Sequence, residues 1–129
     1  MTDRRAAHTE RGQSAIGLLL ATAFALTAFV GFVDVLTVAY ARSMMRFTVD
    51  DSARAGSRYG ATVADCERRA AEAKRDLLAG TMGRNVTITC TQTAEATVAR
   101  AEGAFPAWLP GIPTWQVQVS ASATRERLR

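Results

Sequence analysis

The chain has little of the chemistry that enzymes use most. Its one histidine, His8, lies in a polar N-terminal leader, so a folded domain after it holds no Ser-His, Cys-His or histidine–metal arrangement. The two cysteines alone cannot complete a zinc site. The chain also has no glycine-rich phosphate loop. We therefore expect a protein that is not an enzyme and that carries no cofactor and no metal.

A concentrated basic patch is also lacking. The net charge is +4, from 16 basic and 12 acidic residues, and the whole excess is spread over residues 42–129. Nucleic-acid-binding domains usually cluster their positive charge on one face. We therefore expect a surface of mixed charge and no nucleic-acid partner.

Charge is absent altogether from residues 13–33, where Leu, Ala, Phe and Val dominate. About 20 helical residues, at a rise of about 1.5 Å each, cross a bilayer core of about 30 Å. Arg4, Arg5 and Arg11 precede this run, and positive residues favour the cytoplasmic side. The sequence predicts a single-pass protein of the cytoplasmic membrane, with a cytoplasmic N-terminus and an extracytoplasmic C-terminal domain.

Two features of the apolar run bear on partners. Gly17, Ala21 and Ala25 are small residues that would let another membrane helix approach closely. Asp34 interrupts the run, and we expect it near the far membrane interface, where its carboxylate reaches water or headgroups at little cost. The alternative is a buried carboxylate that pairs with a partner.

Beyond the apolar run, helical periodicity continues in an amphipathic form. It predicts one helix from about Gln13 to about Tyr59, which Gly56 and Gly60 allow to end. A second helix is predicted over residues 63–79, with Thr62 and Asp65 as its capping pair and Gly80 and Gly83 as its stop.

Alternating β-branched residues predict strands over residues 85–93 and 115–124, and a weaker pattern predicts one over 97–101. Residues 105–113, with three prolines, are expected to form a loop. For Trp108 and Trp115 we predict core or loop-anchoring roles, with an exposed binding patch as the alternative.

The predicted fold class is therefore α+β, with a long N-terminal membrane-spanning helix, a second helix and a small antiparallel sheet of two or three strands. Its predicted parts are a polar leader (1–12), a transmembrane and extended amphipathic helix (13–60) and a small extracytoplasmic domain (61–129).

The two cysteines occupy inward-facing positions of these elements. Cys66 falls on the second helix and Cys90 on the first strand, in a domain predicted to lie outside the cytoplasm, where disulfides persist. A bridge would close a loop of about 25 residues and add about 3 kcal/mol of stability. Two independent buried thiols are the alternative.

The N-terminal motifs resemble a known family. The stretch from Glu10 to Ala15, ERGQSA, followed by an apolar helix, resembles the start of a type IV prepilin-like protein. The segments 39–42 (AYAR) and 49–59 (VDDSARAGSRY) are similar to the TadE-like family of minor pseudopilins, and the two cysteines resemble the pair of many actinobacterial members.

The resemblance implies that a membrane-embedded prepilin peptidase cuts between Gly12 and Gln13. It also implies a role in pilus assembly or secretion-related filament biogenesis, with other pilin or pseudopilin subunits and the membrane assembly platform as partners. Such pilins usually carry Glu at the fifth residue of the mature chain, where this chain has Gly17. That departure favours a place at the filament tip or base, or in the assembly platform, over the shaft.

Two other functions stay open. The Ala39-Tyr40-Ala41 pattern fits a cleaved secretory signal, although the apolar run exceeds the usual signal core of about 7–15 residues. A plain membrane anchor that carries a small binding domain is the other. The N-terminus of the mature chain distinguishes the three.

Overall fold

The computed structural model describes residues 6–78 and 80–127, with side chains described from Ser14 onward. Its elements, in chain order, are α1 (Ala6–Ser57), α2 (Val63–Leu77), α3 (Thr81–Arg84), β1 (Val86–Gln92), β2 (Ala96–Phe105) and β3 (Trp115–Thr124). The strands form one antiparallel sheet in the order β1-β2-β3. The predicted α+β class is confirmed, and the sheet has three strands.

The second half of α1 is the central helix of the C-terminal domain. Its inward residues recur at intervals of three and four, which keeps them on one face of a helix. This face packs against β3, β2 and α2. Its fully or almost fully buried members, called here the inner stripe, are Ala41, Met45, Thr48, Val49, Ser52, Ala53 and Gly56.

The sheet supplies the other side of the core. Alternate residues of each strand point toward the helices, as the period of two requires. In β1 these are Val86, Ile88 and Cys90, the face that the sequence predicted. The outer face of the sheet is rich in Thr, Ser and Gln.

The helix α2 is amphipathic and begins as predicted. The Asp65 carboxylate accepts the backbone N–H of Thr62 at 2.8 Å and its hydroxyl at 3.1 Å. These bonds, with the nearby Arg68 guanidinium, hold the pKa of Asp65 below its usual value. Arg69 bonds Asp51 of α1 at 2.6 Å, so an ion pair joins the two helices at their surface.

Several predicted boundaries differ from the observed ones. The helix α1 already includes Ala6, the first described residue, so it extends at least seven residues before the predicted start at Gln13. Gly56, which was expected to allow α1 to end, is a buried residue of its last turn, one position before the end at Ser57. Gly60, with φ of 75°, follows the end of the helix.

The later elements were predicted more closely. The last strand has the predicted bounds, whereas β2 extends from Ala96 to Phe105 rather than over 97–101. The second helix ends at Leu77, and its predicted last residue, Ala79, lies outside the described residues, as do residues 1–5 of the leader. The short helix α3 was not predicted.

Candidate functional site along the first helix

The first half of α1 leaves large apolar side chains uncovered. All residues from Ser14 to Phe29 are exposed, with Phe24 at 77 %. The segment is long and apolar enough to cross a membrane, and its most apolar stretch buries nothing inside the molecule. A soluble monomer rarely exposes so continuous an apolar surface, and this half of α1 is compatible with a membrane anchor.

The polar groups of this segment are satisfied within the helix. The hydroxyl of Thr22 donates to the carbonyl of Leu18 at 2.8 Å, and that of Thr27 donates to the carbonyl of Ala23 at 2.9 Å. A hydroxyl left without an acceptor in hydrocarbon costs several kcal/mol. The threonines therefore do not oppose an apolar environment.

The small residues singled out in the sequence share one face. Gly17, Ala21 and Ala25 are spaced by four residues, and each is exposed. A methyl group added at Gly17 would meet no atom within 4 Å. The structure therefore places these three residues together, on a surface that a second helix could approach closely.

The predicted processing site lies within the same helix. The backbone of Gly12 and Gln13 is part of α1, and their side chains lie outside the described ones. The peptide bond between them is thus helical.

The expectation that Asp34 reaches water or headgroups is wrong. Asp34 is only 5 % exposed, and its carboxylate accepts the indole N–H of Trp115 at 3.4 Å. The segment between β2 and β3, called here the 106–114 loop, lies beside this part of α1, since Pro106 and Trp108 line a cavity together with Asp34. The partner is therefore a group of the same chain, 81 residues away.

Core or loop-anchoring roles were predicted for both tryptophans, and a core role is wrong for Trp108. Trp108 is 72 % exposed, whereas Trp115, at 38 %, anchors the base of the loop to Asp34. The core aromatic residue of this region is Phe105, which is 6 % exposed. Leu109 reaches α1 directly, because a Cβ at Gly31 would lie 3.7 Å from its Cδ1 atom.

At the opposite end of the domain, the end of α1 packs against three elements, α2, β1 and β2. Gly56 lies so close to α2 that an added Cβ would stand 2.8 Å from Cys66 Cβ and from Thr97 Cγ2. The Gly56 carbonyl lies in the last turn of α1, where the helix itself supplies no N–H donor for it. It accepts hydrogen bonds from Gln92 Nε2 and Thr97 Oγ1, both at 3.0 Å. Cys66 bonds Cys90, so the predicted disulfide is present and joins α2 to β1.

This geometry explains part of the motif that carries the family resemblance. In the segment 49–59, the members of the buried inner stripe are Val49, Ser52, Ala53 and Gly56. Small side chains are needed there because the helices approach closely. Asp51, in contrast, points outward and bonds Arg69.

The polar clefts offer little chemistry. A cleft of about 410 Å³ beside Tyr59 contains Arg68 and Arg69, whose charges are already paired with Asp65, Asp51 and Glu72. Across the described part of the chain, no three His, Cys, Asp or Glu side chains come together as metal ligands would.

Comparisons of the chain with family models, with curated proteins and with solved structures gave no match. The assignment of a function therefore depends on the geometry of α1 and on the motifs of its sequence.

Proposed function

We propose that the chain is a non-enzymatic, TadE-like minor pseudopilin that acts in pilus assembly or secretion-related filament biogenesis. The observation that carries the proposal is the division of α1. Its first half is exposed and apolar, and its second half is the central helix of a small domain that a disulfide crosslinks. Because the helix is continuous, it attaches the domain to the membrane or the filament that its apolar half enters.

Orientation and partners follow from the sequence features. The arginines of the leader stay in the cytoplasm, and the disulfide-bonded domain lies outside it. The face of Gly17, Ala21 and Ala25 packs against the helices of other pilin or pseudopilin subunits, first in the membrane platform and then in a filament.

The burial of Ala41 argues against the secreted alternative. Ala41 is fully buried in the domain core, inside an uninterrupted helix. Cutting after Ala41 would sever α1 within the domain and remove Asp34, the acceptor of the Trp115 indole. A signal peptide is removed from the mature protein, so we do not expect it to supply part of the mature fold.

The test is the N-terminus of the mature protein, made as the full chain together with a prepilin peptidase. We expect N-terminal sequencing and intact mass to give a chain that begins at Gln13. A chain that begins at Arg42 would support secretion, and an intact Met1 would support a plain anchor; either contradicts the proposal. Gly12→Leu, which places a bulky side chain at the cut, serves as the negative control.

A second variant tests the departure from the family pattern. Gly17→Glu introduces the carboxylate that such pilins usually carry at the fifth mature position. If the chain is a pseudopilin kept out of the shaft, this variant should increase its recovery in sheared filaments. Ala21→Glu, one turn further along the same face, is the matched control and should not. Equal recovery of the two variants would contradict this part of the proposal.

A further inference from the structure

The 106–114 loop meets α1 at one particular level. Leu109 contacts the helix at Gly31, and Trp115 bonds Asp34. Counted from Ser14, 20 residues reach Val33, and this length spans a bilayer core of about 30 Å. The loop therefore lies at the height at which a membrane-spanning α1 would leave the hydrocarbon core.

The loop also has the composition of a membrane-interface segment. No charged residue occurs between Glu102 and Arg125. Trp108, Ile112 and Trp115 are exposed by 72 %, 41 % and 38 %. Tryptophan is enriched where hydrocarbon meets headgroups, because its ring is apolar while its N–H needs a polar partner.

The backbone of the loop suits the same place. Pro106, Pro110 and Pro113 have no N–H group, so three donors that would need water are absent. The N–H of Ile112 is bonded to the carbonyl of Leu109 at 3.4 Å in a turn. These features lower the cost of moving the loop into a region poor in water.

Exposed apolar side chains of the loop and of the helix lie at the same height. On α1, Phe29 and Phe32 are 63 % and 60 % exposed, within two residues of Gly31, the position nearest Leu109. A single medium can therefore cover both surfaces. The Asp34 carboxylate, at the end of the span, is buried and accepts the Trp115 indole N–H, so it does not face that medium.

We propose that the 106–114 loop is a second membrane contact, which inserts Trp108 into the lipid interface of the leaflet from which α1 emerges. This inference depends on the membrane anchoring proposed above and goes beyond it. The helix alone would leave the domain free to tilt. The loop gives it a second point of attachment beside the helix, so the domain holds one orientation on the membrane.

The two tryptophans are the only ones in the chain, which makes a direct test possible. The full-length protein is reconstituted at low density in phosphatidylcholine vesicles whose acyl chains carry bromine either near the headgroup or near the chain end. Trp115→Phe leaves Trp108 as the only reporter, and Trp108→Phe leaves Trp115. A third chain, with both replaced and Phe24→Trp, reports on the middle of the span.

We expect bromine near the headgroup to lower Trp108 emission about twofold, with a smaller effect of bromine near the chain end. The Phe24→Trp reporter should show the opposite order. If Phe24→Trp is quenched while Trp108 is not, the loop inference is overturned and the anchor stands. If Phe24→Trp is not quenched either, the membrane anchor itself fails, and the inference fails with it.

Two controls keep the result clear. Protection of Trp108 from aqueous iodide that appears only at high protein density would indicate a contact with another subunit, which overturns the lipid assignment. If Trp115→Phe does not fold, the unmutated chain labelled with fluorotryptophan gives one ¹⁹F resonance per tryptophan. Spin-labelled lipid should then broaden the resonance of Trp108 more than that of Trp115.

Discussion

At the scale of single residues, Gly56 decides how closely α1 and α2 approach. An added Cβ would lie 2.8 Å from both Cys66 Cβ and Thr97 Cγ2, a distance that carbon atoms do not normally reach. Its carbonyl also accepts hydrogen bonds from the side chains of Gln92 and Thr97. The residue therefore serves packing and hydrogen bonding at one point.

Gly56→Ala is expected to destabilise the protein by about 1–3 kcal/mol, because one methyl group must be forced into a filled space. Helix propensity alone predicts the opposite, a gain of about 1 kcal/mol. The measurement is denaturant unfolding in detergent, followed by near-ultraviolet circular dichroism. Gly31→Ala is the matched control, since its Cβ would meet Leu109 at an ordinary 3.7 Å. Equal effects of the two substitutions would rule out the packing explanation.

Asp65 gives the domain a pH dependence at its acid side. Hydrogen bonds from Thr62, and the charge of Arg68, lower its pKa in the folded state below the ordinary value of 3.8. A group with a lowered folded pKa stabilises the fold above its unfolded pKa, and the effect is lost as the pH falls through the folded value.

Asp65→Asn should therefore lower the stability at neutral pH, and the difference from the wild type should shrink below about pH 4. Urea unfolding at pH 7 and at pH 3 measures it. Glu67→Gln removes one exposed charge of the same helix and controls for net charge. A difference that stays constant across this range would contradict the role assigned to the Asp65 carboxylate.

At the scale of elements, α1 has one buried and one exposed surface over residues 41–57. The inner stripe is buried in the domain, whereas Phe47 on the other side is 58 % exposed. Met45 is among the largest fully buried side chains. Burial, and not the size of the side chain, should therefore determine the cost of truncation.

Met45→Ala is expected to cost about 2–5 kcal/mol, because it leaves a cavity at the centre of the core. Phe47→Ala removes a larger side chain and should cost less than about 0.5 kcal/mol in the isolated protein. Thermal unfolding of the two variants side by side tests this. A larger loss from Phe47→Ala would mean that the exposed face is covered by a partner during the measurement.

The elements that the sequence predicted well are those with a strong local pattern. The strand β3 alternates without interruption from Trp115 to Thr124, and its bounds were predicted correctly. The strand β2 was predicted too short, because Gly103 and Ala104 weaken the pattern near its end. The bond between Asp34 and Trp115 joins residues 81 positions apart, and no local signal reveals it. The same holds for the exposure of Trp108, which depends on where the loop folds.

At the scale of the whole molecule, the disulfide links the two halves of the C-terminal domain. The bridge from Cys66 to Cys90 ties α2 to β1 beside the end of α1. No free cysteine occurs among the described residues. Small domains with modest cores gain much of their stability from such covalent links.

Cys66→Ala combined with Cys90→Ala should lower the free energy of unfolding by about 3 kcal/mol, since the unfolded chain regains the freedom of a loop of about 25 residues. Chemical denaturation of the oxidised wild type and of the double variant measures the difference. A reductant should destabilise the wild type to a similar extent and leave the double variant unchanged. Stabilities that agree within error would contradict a structural role for the bridge.

The position of α1 at the start of the chain and of β3 near its end has a consequence for biosynthesis. On the topology proposed above, the inner stripe of α1 crosses the membrane before the strands do, yet its packing against β3 is completed only at Thr124. During such an export, the stripe, with Met45 and Val49, lacks the packing that β3 supplies. A product that stops before Trp115 would therefore lack the β3 side of this core, and we expect proteases to degrade it faster than the full chain.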